Sequence, residues 1–530
     1  MSKTTSFPLA IVIAAGLVCP AAAQEPTADQ VKALIEQAMV RLSAQPVPAQ
    51  GAPSTAQGPT VDMTVEEAVA RALENNVTLA TQRLTPQTFD FSIAATRAFY
   101  RPTVTSTVSN ISATQLGRLT TDGGEKTNQD TTIWNAGLTQ QVPWQGGSLQ
   151  VNWANNRLAS TQSTAIFNPA YTSQFAATFT QPLLANRKID NTRTTLLNTE
   201  ISQDIAQIEL QGTAASIVAQ VRNAYYELVF AIMNLEAQRT SLELAAKLVE
   251  DNRARVEIGT MAPIEVVQAQ AEEATRRQAV VNAEAILQNN ELGLKRLIVS
   301  GTEDPLWAST INAVDRPRPD PEAIDLEGAV RNALSNRTDL QTQRKNVESA
   351  NVTLSSLTNQ KLPTLNLVGT YRLDGRGGLP TSPTLPPSGW WDALGAIGKV
   401  DAPTWTVQLN FSYPLGMSAA DANRARQEIV IRQNHMQVKA AELQIATEVT
   451  AAAIAIRNSL EAIQAATAAR ELSQKRYEAA QSKLEVGMAT NFEVVQAQRD
   501  LADATNRELR EHLNYRRALV DFQRVQISPR

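Results

Sequence analysis

Ile258–Gln270 reads IGTMAPIEVVQAQ, and Val486–Gln498 reads VGMATNFEVVQAQ. The second phrase begins 228 residues after the first (486 − 258), and eight of fifteen positions are identical over 256–270 and 484–498. Each phrase sets a glycine, then a proline or an asparagine, inside sequence that otherwise has helical spacing. Glycine ends a helix by adopting a left-handed backbone at little cost. The phrase therefore reads as a turn between two helices, used twice. A turn needs only the glycine, so the shared Glu-Val-Val-Gln-Ala-Gln beyond it points to a common packing environment.

Working outward, Val65–Arg83 (VEEAVARALENNVTLATQR) matches Leu326–Arg344 (LEGAVRNALSNRTDLQTQR) at ten of nineteen positions, an offset of 261 (326 − 65). Pro102 and Pro363 keep that offset, whereas Gln181-Pro182-Leu183 and Tyr413-Pro414-Leu415 are 232 apart. The landmarks follow one order in both halves, so the chain reads as a duplication. The first half carries 29 extra residues (261 − 232) between its two prolines. Each unit predicts a helix, Thr64 to Phe99 and Leu326 to Lys361, which stops ahead of a proline. A strand zone follows, then a long helix over roughly 187–257 and 418–485, the glycine turn, and a returning helix over about 264–299 and 491–526. At 1.5 Å per residue the long helices approach on the order of 100 Å. Spaced small apolar residues such as Val266, Ala269, Val280 and Ala285 read as coiled coil. The turn is then the far tip of a rod.

Trp405–Tyr413 is WTVQLNFSY. Trp405, Val407, Leu409, Phe411 and Tyr413 point one way and Thr406, Gln408, Asn410 and Ser412 the other. An aromatic-rich apolar face opposite an uncharged polar face fits a barrel strand between lipid and water, although a soluble sandwich also alternates. Phe175–Thr180 and Leu365–Tyr371 repeat the theme. The first unit holds two further strand candidates, Thr132–Val142 and Ser148–Leu158, which account for the extra residues. The second carries instead a Pro/Gly-rich loop, Gly375–Pro403, with Trp390-Trp391 inside it. Four strands plus two fall below the minimum of about eight for a membrane barrel, so several copies must share one.

The N-terminus, MSKTTSFPLAIVIAAGLVCPAAAQ, has a positive start, a short apolar run and small residues before a cleavage point after Ala23. We expect a signal peptide over 1–23 and an exported chain. Cys19 is the only cysteine. A lipoprotein reading of it lacks the small residue wanted before the cysteine, so the mature chain has no thiol, disulfide or cysteine metal site. With a net charge of −4, nothing directs the chain to nucleic acid. His435 and His512 sit alone in helical sequence, and Glu508, four residues before His512, does not complete a zinc set. There is no G-x-S-x-G and no P-loop. We expect no enzyme, no cofactor and no nucleotide site.

These features together resemble the TolC-like outer-membrane efflux protein family, over about residues 64–526. The duplicated helix–strand–helix plan carries the resemblance, with the entries at Pro102 and Pro363, the Gln181-Pro182-Leu183 strand end, and the G-x5-[DE]-V hairpins Gly259–Val266 and Gly487–Val494. The resemblance implies an α+β membrane protein: a homotrimer with a shared transmembrane β-barrel, continuous with a long α-helical coiled-coil barrel across the periplasm. It implies an outer-membrane lipid environment in a Gram-negative bacterium, a periplasmic adaptor protein, and an inner-membrane transporter of the RND or ABC type. Ile258, Gly259, Thr260, Val486, Gly487 and Met488 are then adaptor-docking tips. Glu265 and Glu493 lie near the periplasmic constriction, where the best-known member adds an aspartate at the position of Gln496. Acids at helix N-termini also favour the helix dipole without any such role. The arginine and tyrosine that latch that member's closed state align with Ala489 and Leu484, so a closed state here needs other contacts.

The expected organisation is a signal peptide (1–23), an N-terminal helix and Pro-rich linker (24–63), a first repeat (64–299), a connector (300–325) and a second repeat (326–530). The extra hairpin at 132–158 either enlarges the barrel to about eighteen strands in a trimer or sits as an extracellular or luminal flap. A secreted structural coiled-coil protein without channel activity also explains the helices and the export signal. It does not explain the two faces of WTVQLNFSY.

Overall fold

The computed structural model describes residues 59–116, 126–162, 165–315, 324–416 and 418–528. The expected signal peptide, and the helix and linker ahead of Pro59, lie outside the described residues.

In chain order the elements begin with strand β1 (Thr60–Met63) and helices α1 (Val65–Asn75) and α2 (Val77–Ala98). Strands β2 (Thr103–Leu116), β3 (Lys126–Gln141), β4 (Ser148–Ser160) and β5 (Phe167–Pro182) follow. Then come α3 (Asn191–Glu257), α4 (Pro263–Ile298), the short α5 (Pro305–Ala308) and β6 (Thr310–Ala313). The second half holds α6 (Leu326–Asn336), α7 (Thr338–Gln360), β7 (Thr364–Pro380), α8 (Trp390–Lys399), β8 (Pro403–Ser412), α9 (Ala419–Glu485) and α10 (Asn491–Arg524).

The long helices α3 and α9 are 67 residues each, on the order of 100 Å. Side chains fix their starts: Asp190 accepts from the Arg193 N–H, and Ser418 forms a capping box with Asp421. Lys361, at the end of α7, pairs with Asp421 at 3.0 Å. That contact, with hydrogen bonds from Ser418, holds the Asp421 carboxyl down at about 2. No helix among the described residues is long and apolar enough to cross a membrane.

Several expectations need correction. The helices expected to run unbroken over 64–99 and 326–361 are each interrupted. Asn76 breaks the first and caps its second half, accepting from the Leu79 N–H at 3.1 Å. Arg337 breaks the second. Its guanidinium is buried and pairs with Asp339 at 3.0 Å and Glu448 at 2.5 Å. Pro86, by contrast, sits inside α2 without ending it. The connector also has structure, since β6 pairs in parallel with β1, from Thr60↔Thr310 to Met63↔Ala313. Beneath this ribbon Met63, Val65, Tyr225, Leu228, Leu294 and Ile298 form one buried cluster. The Tyr225 hydroxyl donates to the Met63 carbonyl at 2.9 Å, and burial pushes its pKa upward.

The remaining strands form one antiparallel sheet in the order β2-β3-β4-β5-β7-β8. The extra hairpin, β3–β4, lies in register inside this sheet, between β2 and β5. It is not a flap. The Pro/Gly-rich segment is likewise not all loop: β7 runs through Gly375–Gly378, and α8 follows.

Candidate functional site: the hairpin tips and the two faces of the sheet

Both tips use one backbone device. At the first, Gly259 has φ of +79°, the Thr260 N–H reaches the Arg255 carbonyl at 2.9 Å, and the Gly259 N–H reaches Val256 at 3.0 Å. At the second, Gly487 has φ of +75°, with Met488→Lys483 at 2.8 Å and Gly487→Leu484 at 3.1 Å. This pair of bonds around a left-handed glycine satisfies the last carbonyls of the helix. Nothing lies within 4 Å of a Cβ built on either glycine. Backbone conformation, not crowding, selects them.

The tips are apolar and open to solvent. Ile258 is 74% exposed, Val486 69% and Met488 77%. Sequence reasoning missed Ile264 and Phe492, which are also exposed. They occupy the same position in the two hairpins, and a large apolar side chain in both first turns was the signal that could have found them.

The carboxylates are not equivalent. Glu493 is exposed in the first turn of α10, where its N–H meets the Thr490 hydroxyl at 3.4 Å. Glu265 is half-buried, and its Oε2 finds no hydrogen-bond partner among the described residues. Its carbonyl accepts from Asn491 Nδ2 at 3.3 Å, which ties the two first turns together. Gln496 donates to Asp500 at 2.8 Å within α10.

Behind the tips, polar contacts join the two hairpins. The buried Asn252 donates to the buried Asn491 at 2.9 Å, and Arg255 Nη1 donates to the Leu484 carbonyl at 3.0 Å. Glu272 of α4, with its side chain 1% exposed, takes Arg499 Nε of α10 at 2.9 Å and Arg276 at 2.8 Å. Burial pushes the Glu272 carboxyl up. The hydrogen bond from Arg499, with the charges of Arg276 and Arg499, outweighs this and holds it below the usual range. Hydrogen bonding to Glu272 raises Arg499 in turn. The motif reading had not found this pair. Its partners come from different repeats, so no local spacing marks it.

At the sheet, directly paired residues of antiparallel strands share a face. One row across all six strands is Val104, Leu138, Val151, Ala177, Tyr371 and Trp405. The adjacent row, on the opposite face, is Thr103, Thr139, Gln150, Thr178, Thr370 and Thr406. The separation seen in WTVQLNFSY therefore extends across all six strands at this level of the sheet. The polar face holds an open cavity of about 660 Å³, with Asn135, Asn156, Gln174, Arg372, Asp374 and Arg376 in its lining. Arg372 pairs there with Asp374 at 2.9 Å, and Gln174 donates to Asp374 at 2.7 Å. On the apolar face Trp405, Val407, Leu409 and Phe411 are exposed. The outer edges of β2 and β8 have no strand partner among the described residues.

The sequence profile of the outer membrane efflux protein family matches residues 68–299 and 329–525. Among solved structures the fold is similar to the Campylobacter jejuni CmeC outer membrane channel, with a TM-score of 0.63 at 15% identity, covering 87% of this chain and 85% of that one. It is also similar to the outer membrane protein VceC of Vibrio cholerae, with a TM-score of 0.62 at 13% identity, covering 88% and 96%. The open state of the Neisseria gonorrhoeae MtrE outer membrane channel gives 0.59 at 14% identity, covering 88% and 89%. No curated sequence matches the chain. With most of both halves matched by the profile, the chain belongs to the outer membrane efflux protein family, the TolC-like channels.

Proposed function

We propose that three copies of this chain close one barrel of eighteen strands (3 × 6) and form a passive exit duct across the outer membrane. The observation that carries the reading is the six-stranded sheet with two unpaired edges, one wholly apolar row and one wholly polar row beside it. Closure alone removes exposed edges from lipid. Even-numbered barrels of this size enclose water. The apolar face then meets lipid and the polar face lines the lumen.

The helices continue the duct into the periplasm, and the exposed apolar tips at Ile258-Gly259-Thr260 and Val486-Gly487-Met488 dock a periplasmic adaptor. An inner-membrane transporter, proton-driven or ATP-driven, supplies the work and selects the small molecule or protein that leaves. Glu493 and Glu265, repeated three times around the axis, favour cations at the periplasmic constriction. Glu493→Gln with Glu265→Gln then weakens block of the channel by multivalent cations; unchanged block would remove both residues from the gate.

Electron microscopy of the detergent-purified protein tests the duct itself. Threefold particles with a detergent belt at one end, eighteen strands in the belt and a hollow rod beyond it are expected. Filaments, or monomers without a belt, would leave the second reading, a secreted coiled-coil protein.

A further inference from the structure

We propose that α8 is an interfacial anchor, a helix on the outer wall of the sheet that presents Trp391 to the headgroup layer of the outer leaflet. The inference rests on the duct reading, because it takes the apolar face of the sheet as the lipid face.

The side of the sheet comes first. The Trp390 ring lies 5.9 Å from Trp134 and 6.1 Å from Trp153, and its Nε1 donates to Asn155 Oδ1 at 3.1 Å. Trp134, Trp153 and Asn155 all share the face of the Val104–Trp405 row by strand register. The polar cavity opens on the opposite face. So α8 packs outside the lumen, although it belongs to a connection that could have folded inward.

The level comes next. On the apolar face, Val108 and Trp134 share a row with Asn155, Ser173 and Gly375. One row further from the helical domain the same face carries Asn110, Thr132, Arg157 and Tyr171. The apolar band therefore ends at the row where Trp390 is seated. A band that changes from apolar to polar along its strands marks the membrane–water boundary, where tryptophan is enriched.

The seat is built for the helix. Gly375 and Gly377 alternate on this face, and a Cβ on them would lie 1.8 Å from the Ala393 carbonyl oxygen and 2.3 Å from that of Gly389. Any side chain there would push α8 off the sheet. Beneath α8, Asn155 and Ser173 are almost wholly buried. The Ser173 hydroxyl donates to Asn155 Oδ1 at 2.6 Å, and Trp153 Nε1 donates to Ser173 at 2.9 Å. Polar side chains facing hydrocarbon would be costly. Under α8 they are covered and paired.

What the helix turns outward is Trp391, 75% exposed, with its ring 4.7 Å from Trp390. The Asp392 carboxylate is occupied with the Gly389 N–H at 2.7 Å. An indole beside the lipid band, with its apolar body and polar N–H, suits the headgroup layer.

The test places an environment-sensitive label at Trp391→Cys, or at Val407→Cys in the band, in the mature chain reconstituted as trimers in liposomes. Lipids carrying a nitroxide near the headgroup or deep in the chain quench from the membrane, and iodide quenches from water. The 391 label is expected to lose fluorescence most with the shallow nitroxide, and the 407 label most with the deep one. Lys399→Cys, at the other end of the helix, repeats the reading if Trp391→Cys assembles poorly. Iodide quenching at 391 with lipid quenching at 407 would overturn the anchor and leave the duct standing. So would protection of 391 from every quencher, which means cover by a neighbouring protomer. Lipid quenching at neither site would remove the membrane face, and the anchor with it.

Discussion

Glu272 and Asp500 occupy the same position in the two hairpins, 228 residues apart, but do different things. The Glu272 side chain is 1% exposed and reaches into the other hairpin, to Arg499. Asp500, 31% exposed, stays in its own hairpin and pairs at 2.8 Å with Arg476, itself 67% exposed. The neighbouring positions have diverged in the same sense. Arg499 corresponds to Ala271, Asn491 to Pro263 and Thr490 to Ala262. The duplication kept the turn and changed what surrounds it. The first hairpin supplies a buried acid and the second the arginine that reaches it, while Asn491 of the second hairpin bridges separately to Asn252 and to the Glu265 carbonyl of the first.

The largest expected effect breaks the outer surface of this pair without touching its interior. Met488→Asp places a charge on an exposed side chain with no packing to lose. It should abolish pump-dependent export, while trimer yield and heat resistance stay as in the parent. Its counterpart Thr260→Asp distinguishes the tips: export lost only from the Met488 variant would assign the adaptor to the second hairpin. Normal export from both would remove the tips from docking.

Next comes the acid pair. Glu272→Gln leaves Arg276 and Arg499 without their charge partner. Arg499 is half exposed and can turn to water, so the cost is about 2 kcal/mol and not the larger figure for a fully buried pair. Asp500→Asn should cost less than about 0.5 kcal/mol, as an exposed pair. Amide exchange in the first turns of α4 and α10 reads both. The pH dependence follows from the lowered Glu272 pKa. That stabilisation is present above the ordinary glutamate value and is lost as pH falls through the depressed one. Tip protection should therefore decline in acid in the parent and much less in the Glu272→Gln chain. Equal acid sensitivity would mean that other groups control it.

Asn491→Ala sharpens the comparison further. It leaves the buried Asn252 without its partner and frees the Glu265 carbonyl, a loss of about 1.5 kcal/mol. Asn491→Pro, which copies Pro263, should cost a similar amount, since proline is well tolerated at the first helical position and only the bridge is lost. A much smaller loss in either variant would show that water replaces the bridge.

How much of this was legible is uneven, for physical reasons. The turns were legible because a left-handed backbone leaves few choices of residue. Val494, Val495 and Ala497 of the second phrase are buried in one cluster with Leu248, Ala269 and Tyr477, but of their counterparts only Ala269 is buried and Val267 is 57% exposed, so the common environment expected from the shared phrase is not what the two hairpins show. WTVQLNFSY was legible because alternation is local. The breaks at Asn76 and Arg337 were not, since Arg337 ends a helix only because Glu448 and the Val525 carbonyl, far along the chain, hold it there. The β1–β6 ribbon joins segments 250 residues apart (310 − 60). Helix α8 was hidden because glycines that look like loop are the space into which it packs.

A smaller effect than that of the Asn491 bridge concerns how each returning helix begins. Thr490 accepts from the Glu493 N–H at the start of α10, while Ala262 gives α4 no side-chain cap and Pro263 stands at its first position. Thr490→Ala should lose about 1 kcal/mol of local stability, and Ala262→Thr should gain somewhat less than that, about 0.5 kcal/mol, since the proline already fixes part of the backbone. If the cap alone separates the two starts, the double variant exchanges their exchange rates: α4 becomes the better protected first turn and α10 the worse. If α10 keeps its protection in the Thr490→Ala chain, the Asn491 bridge and not the cap is what orders the second tip, and the divergence of the two halves rests on the contacts between hairpins.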